Sequence, residues 1–368
     1  MPISAISIVP AKPKRQNKQG VSSLADTPSQ SVSSLSTVDA PKSIASTDST
    51  EWRPRQTSAP KALSKKISWW QSPASHIIQR LPKPLIQFAE RKLLFPGANA
   101  KARKEAPSLG ALKAALLQSG DAYQFHLADR IQEVSFVSQH DSQQLQHRAW
   151  FIPPQGKMPT ILVSGPNMGH LNHILDLLPF TLVGYGVLTY EYPGYGKTAG
   201  KPTEAGLYRS VEAASDYLTQ QHHIPAEQQI GYGVSLGGAV TAHLAAHRPL
   251  KAVILESTFT SLPETADRLL QKHLHPTMTG LSKKLQNQFD SAEKMGHIQC
   301  PLLILHADED PLLPVDFAHC LYQKAASVQK KLAVIERKRH LLPADDVNQQ
   351  LWEFFDNLDH YRIPKNRN

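Results

Sequence analysis

A serine between glycines at a strand-to-helix junction is the pattern in this chain with the most chemistry in it. Gly231-Tyr232-Gly233-Val234-Ser235-Leu236-Gly237-Gly238 contains Gly-x-Ser-x-Gly, which composition alone would produce about 0.1 times in a chain of this kind. Residues 229–233 before it predict a strand and 236–247 after it a helix. A tight turn at that junction lifts the hydroxyl out of the sheet, and the glycines let strand and helix pass closely. A hydroxyl becomes a nucleophile only beside a base, and the base needs an acid to orient it. Asp310 follows the predicted strand 302–306, and His340 follows the predicted strand 331–335. Both stand at carboxyl ends of strands, the edge where Ser235 stands, and they follow it in the order nucleophile, acid, base. Asp308, in the same Asp-Glu-Asp run, and Glu256, at the end of an earlier strand, compete for the acid. His306, His319 and His360 compete with His340. His243 and His247 stand one helical turn apart, as two metal ligands would, but no third ligand is evident and they read as a helix surface.

The elements that must carry these residues alternate. Apolar runs at 160–164, 187–191, 229–233, 252–256, 302–306 and 331–335 predict strands. Helices are predicted at 108–117, up to 178, and at 204–221, 236–247, 315–326 and 344–360. Short apolar strands alternating with helices imply a parallel sheet covered on both faces. Residues 131–138 and 145–152 predict an antiparallel pair ahead of it. Residues 257–299 are too long for a plain connection between strands and are read as a lid.

The rest of the chain is organised differently. Residues 1–50 hold 16 Ser or Thr and no aromatic residue, too little apolar surface to offset the entropy of ordering. The expected domains are a disordered Ser/Thr/Pro-rich tail over 1–60, a basic amphipathic arm over 61–107 and a catalytic domain over 108–362. Residues 61–104 carry ten basic residues against one acid, which is the whole net charge of +9. The remainder is formally neutral, so a nucleic-acid partner, which wants a basic face on the folded domain, is not expected. The arm also carries Trp69, Trp70, Ile77, Ile78, Leu81, Leu85, Ile86 and Phe88. Basic and interfacial apolar residues together fit peripheral contact with an anionic membrane. The same apolar residues also fit packing onto the folded domain, and the two readings stay open. No run of 18 apolar residues and no signal-peptide h-region is present. With two lone cysteines, Cys300 and Cys320, the expected location is cytoplasmic, with peripheral membrane association through 61–104.

Over about 130–358 the chain resembles the serine-hydrolase branch of the α/β-hydrolase superfamily, in particular the group of acyl-protein thioesterases, lysophospholipases and serine-aminopeptidase-like proteins. The resemblance rests on several linked stretches in family order. They are Glu191-Tyr192-Pro193-Gly194-Tyr195-Gly196-Lys197-Thr198, Glu204-Ala205-Gly206-Leu207-Tyr208, Gly233-Val234-Ser235-Leu236-Gly237-Gly238-Ala239, Leu255-Glu256-Ser257-Thr258-Phe259-Thr260-Ser261-Leu262, Phe289-Asp290-Ser291-Ala292-Glu293-Lys294 and Pro301-Leu302-Leu303-Ile304-Leu305-His306. It implies the α/β-hydrolase fold, with Ser235 as nucleophile, Asp310 as acid and His340 as base. The family's His-Gly-x-x-Asp strand end places the acid at Asp310 rather than Asp308, with Ala307 here in place of the Gly. The family's His-Gly-x oxyanion loop is Ser164-Gly165-Pro166-Asn167 in this chain, and proline has no N–H to donate. The hole then depends on Leu236 N–H, with Asn167 donating through a shifted loop or not at all. A lost donor costs about 3–4 kcal/mol of transition-state stabilisation. Tyr192 and Tyr195 are expected to pack the turn they belong to.

The function expected is hydrolysis of carboxylic esters or thioesters, of an acyl lipid or acylated protein, through an acyl-Ser235 intermediate, with no cofactor and no metal. Two alternatives stand beside it. One is a weak or inactive α/β-hydrolase-fold binding protein, motivated by Pro166. The other gives the main role to the N-terminal arm, as a membrane- or partner-targeting segment.

Overall fold

The computed structural model describes residues 95–98, 106–118, 127–140, 143–168, 171–273, 282 and 285–358, all within the unit Lys66–Asn368. Eight strands form one sheet: β1 (Gln132–His140), β2 (Gln143–Ile152), β3 (Thr160–Ser164), β4 (Gly186–Tyr190), β5 (Gln229–Val234), β6 (Ala252–Glu256), β7 (Leu302–Ala307) and β8 (Lys330–Ile335). Their order is β1-β2-β4-β3-β5-β6-β7-β8. Only the pairs made by β2 are antiparallel; the other five are parallel. The α-helices among the described residues are α1 (Leu109–Gln118), α2 (Leu178–Leu182), α3 (Glu204–His222), α4 (Leu236–His247), α5 (Leu262–His273), α6 (Ser291–Lys294), α7 (Asp316–Lys324) and α8 (Ala344–Leu358). This is the mostly parallel sheet flanked by helices that the sequence predicts.

Strands β3 to β7 are buried along their whole length, because helices cover both faces and no strand position meets water. The two-residue period of a strand then sends neighbours into opposite cores. Leu162, Val253 and Leu255 join one core with Leu207, Val240 and Phe317 of α3, α4 and α7. Ile161, Val163 and Ile254 join the other with Leu112, Leu351 and Phe355 of α1 and α8. At the sheet edge, β1 alternates instead, with Phe136 buried and Val137 exposed.

Three expectations change in detail. The helix after β3 is broken into a 3-10 turn (Leu171–Leu177) and α2. Pro179 lies in the first turn of α2, where its missing N–H costs nothing, but inside a longer helix it would break the ladder. The packed domain starts before 108. Phe95 is buried in the first core and meets Phe289 edge-on at 6.3 Å, so the end of the expected arm belongs to the domain. Of the stretch 257–299 read as a lid, Phe259, Leu262, Phe289, Met295 and Ile298 are buried in that core, so much of its described part belongs to the core. Residues 274–281 and 283–284 lie outside the described residues, as do 1–60 and the arm over 61–94 and 99–105. Among the described residues no helix is long and apolar enough to cross a membrane.

Candidate active site

Ser235 occupies the single residue between β5 and α4, with φ 54° and ψ −115°. A side chain held at positive φ costs about 1–3 kcal/mol, and it persists only where the surroundings determine it. Here the end of β6 does so from both sides. Ser235 N–H donates to Glu256 O at 2.9 Å, and Thr258 Oγ1 donates to Ser235 O at 2.8 Å. Two glycines make the turn sterically feasible. A Cβ on Gly233 would lie 2.3 Å from Gly237 O, and one on Gly237 would lie 1.9 Å from Ser164 O. The flanking glycines are therefore required by the approach of β5 to α4 and of α4 to the end of β3. The turn leaves Ser235 8% exposed, in a recess rather than on the open surface.

His340 reaches this recess from the loop after β8. Its Nε2 is 2.9 Å from Ser235 Oγ and its Nδ1 is 2.7 Å from Asp310 Oδ2. An ionised carboxylate can only accept, so Nδ1 carries the proton and Nε2 offers its lone pair to the Ser235 hydroxyl. The other carboxylate oxygen, Oδ1, accepts from Leu312 N at 2.8 Å and Leu313 N at 2.9 Å. Burial pushes the Asp310 carboxyl up, but the His340 hydrogen bond and these two N–H groups outweigh it and hold it below the usual aspartate value. His306, on β7, donates from Nε2 to Leu313 O at 2.8 Å and so fastens the same turn. Burial lowers its pKa and keeps it neutral.

The rivals are placed elsewhere. Asp308 is exposed and accepts through Oδ1 from Arg337 N at 2.8 Å, tying two surface loops. Glu256 bonds Tyr232 and Leu342 rather than His340. His306 spends its donor on Leu313, His319 lies on the exposed face of α7, and His360 lies outside the described residues. His243 stacks on Tyr208 at 3.9 Å and pairs with Glu212 at 2.7 Å. Among the described residues no group of His, Cys, Asp or Glu is placed to hold a metal ion.

The residues expected at the oxyanion position come from two elements. Leu236 is the first residue of α4, where a helix leaves its N–H without an intrahelical partner. Asn167 lies in the loop after β3, whose Ser164 and Gly165 carbonyls pack against Gly237 in the first turn of α4. Three tyrosines brace that loop. Tyr190 OH bonds Ser164 Oγ at 2.9 Å, Tyr192 OH donates to Gly165 O at 2.9 Å, and Tyr195 OH donates to Asn167 Oδ1 at 2.7 Å. Their rings meet edge to face at 5.5 Å, and burial pushes all three phenols up, so they remain neutral donors. The turn holding Tyr192 and Tyr195 is itself fixed by Glu191, which accepts from Lys197 N and Thr198 N and pairs with Arg148. Tyr192 and Tyr195 thus do more than pack the turn they belong to, and Tyr190 and Thr258 join them in fixing the site. Their partners are too distant in the chain to leave a local signal.

Residues 161–277 match the family described as alpha/beta hydrolase fold. The alpha/beta hydrolase domain-containing protein WAV2 of Arabidopsis thaliana is 32% identical over 201 residues, 51% of this chain and 65% of that protein. An uncharacterized protein of Mycobacterium tuberculosis is 30% identical over 188 residues, 50% of this chain and 65% of that one. The chain thus spans somewhat less than two thirds of these relatives' length. An esterase of Pyrococcus furiosus of known structure superposes with a TM-score of 0.50 at 14% identity, covering 62% of this chain and 91% of the esterase.

Proposed function

Because the chain belongs to the α/β-hydrolase superfamily, we propose that it is a serine hydrolase cleaving carboxylic esters or thioesters through an acyl-Ser235 intermediate. The observation that carries this reading is the continuous bonding from Ser235 Oγ through His340 to Asp310. Ser235 Oγ attacks the acyl carbon while His340 Nε2 takes its proton. The negative oxygen that develops faces Leu236 N–H and Asn167. Collapse breaks the bond to the alcohol or thiol, which leaves with the proton from His340. Water then gives a proton to His340 and attacks the acyl carbon, releasing the acid and restoring Ser235. Asp310, held as the anion, keeps the proton on Nδ1 and stabilises the imidazolium. Three exposed apolar residues follow site residues in the sequence: Met168 (66%) after Asn167, Leu312 (43%) two after Asp310, and Leu341 (37%) after His340. Their apolar surface suits an acyl substrate.

A fluorophosphonate probe tests this, because it labels only a serine whose hydroxyl is activated. Labelling of the wild type that disappears in Ser235→Ala is the expected result. Failure of the wild type to label would favour the alternative, a binding protein on a hydrolase fold, whose motivation is the missing N–H of Pro166. The arm over 61–104 is proposed to hold the protein at an anionic membrane, each basic residue contributing about 1 kcal/mol near the surface. Full-length protein is expected to co-sediment with phosphatidylserine vesicles, less so as salt rises. Equal recovery of full-length and 1–94-deleted protein in the supernatant would refute that contact.

A further inference from the structure

We propose that Glu256 is a positioning residue, a buried carboxyl that clasps the His340 loop to the strand carrying Ser235. It rests on the reading of Ser235 and His340 as nucleophile and base. Glu256 ends β6 and bonds the Ser235 turn, β5 and the loop beyond His340. Its main-chain oxygen accepts from Ser235 N–H at 2.9 Å. Its Oε2 bonds the hydroxyl of Tyr232, three residues before Ser235 on β5. Its Oε1 accepts from Leu342 N–H at 3.3 Å, two residues past His340. Beyond the tie of Arg337 N to Asp308 before it, the base itself is held by Asp310 through the imidazole and by Glu256 through the backbone that follows. Neither Glu256 oxygen bonds His340, so Glu256 acts through the loop and not as a second acid.

The far side of the clasp borders a cavity of about 220 Å³. The groups facing it are Tyr232 of β5, His173 and Asp176 of the 3-10 turn, Arg339 of the base loop and Asn348 of α8. His173 and Asp176 pair at 3.2 Å. Burial pushes the Glu256 carboxyl up, opposed by Tyr232, Leu342 and His173 and reinforced by Asp176. The clasp survives either charge state. A protonated acid turns its O–H to Tyr232 and keeps Oε1 as the acceptor for Leu342, an arrangement that a glutamine amide reproduces.

The test compares Glu256→Gln with Glu256→Leu by steady-state kinetics and by proton NMR of the low-field His340 Nδ1–H signal, assigned through its loss in His340→Gln. In Glu256→Leu the signal is expected to broaden away and kcat to fall by about 100-fold with KM little changed, the effect of a base displaced by about 1 Å. Glu256→Gln should keep the signal and most of the activity. A Leu variant with wild-type signal and kcat overturns the proposal, and so does a Gln variant as impaired as the Leu variant. If Glu256→Leu does not fold, Glu256→Met replaces it. If neither folds, Glu256 is a fold residue and the proposal fails. The NMR signal needs no substrate, so a wild type that neither hydrolyses esters nor takes the fluorophosphonate probe would sink the hydrolase reading while the clasp is still decided.

Discussion

Ser235→Ala is expected to bring turnover of short acyl esters to the assay floor while the domain stays folded. Where a serine-based triad has been dissected, removing one member costs roughly 10⁶ in kcat. The Ser235 hydroxyl is bonded to His340 Nε2 at 2.9 Å, and the backbone bonds to Glu256 O and from Thr258 Oγ1 do not involve it. Alanine keeps those backbone bonds and inherits the same positive φ, so the folded state loses one hydrogen bond, about 1 kcal/mol. The melting temperature should fall by no more than about 4 °C. Calorimetry beside an ester assay checks both halves. An alanine variant with wild-type turnover moves the nucleophile elsewhere.

Asp310→Asn is expected to lower kcat by about 10⁴, the loss seen when the base is held in the wrong tautomer. The bonds around the carboxyl set the direction. Oδ1 accepts from Leu312 N and Leu313 N, so an asparagine would leave its carbonyl oxygen there and turn its amide NH₂ toward His340 Nδ1. That nitrogen must then accept, its proton moves to Nε2, and Nε2 can no longer take the proton of Ser235. Asp308→Asn should change kcat little, because the amide oxygen can still accept from Arg337 N and Glu309 N. Steady-state kinetics of the two variants side by side decides the matter, and the reverse ranking would transfer the acid to Asp308.

The choice between those two aspartates marks how far the sequence could be read. Gly-x-Ser-x-Gly between an apolar strand and a helix is a local pattern, and Ser235 stands where that pattern implies. The helix over 236–247 has the expected bounds to the residue, although it is buried on nearly every side and so carries little amphipathic period of its own. Asp308 and Asp310 are two residues apart in one loop, and the preference for Asp310 comes from the family's His-Gly-x-x-Asp spacing rather than from composition or periodicity. What separates them is the turn made by Leu312 and Leu313, which the buried His306 fastens and which aims Asp310 at His340. The bracing of the Ser164–Asn167 loop by Tyr190, Tyr192 and Tyr195 was beyond reach for the same reason. So was Phe95, a lone aromatic in a basic segment whose partner Phe289 is far along the chain.

By itself the sequence determined the element types, the apolar strands buried on both faces, the glycines at the elbow and the three residues that belong at one sheet edge. Those arise from forces acting over a few residues: backbone sterics, helical and strand periodicity, and the cost of exposing apolar runs. Only the tertiary structure decided the strand order, the clamp of Glu256 and Thr258 on Ser235, and the approach of His340 to a hydroxyl 105 residues earlier. Such contacts form when two covered faces of the sheet bring distant loops to one edge. Their hydrogen bonds exist only after that burial has excluded water, so no short window of sequence contains them.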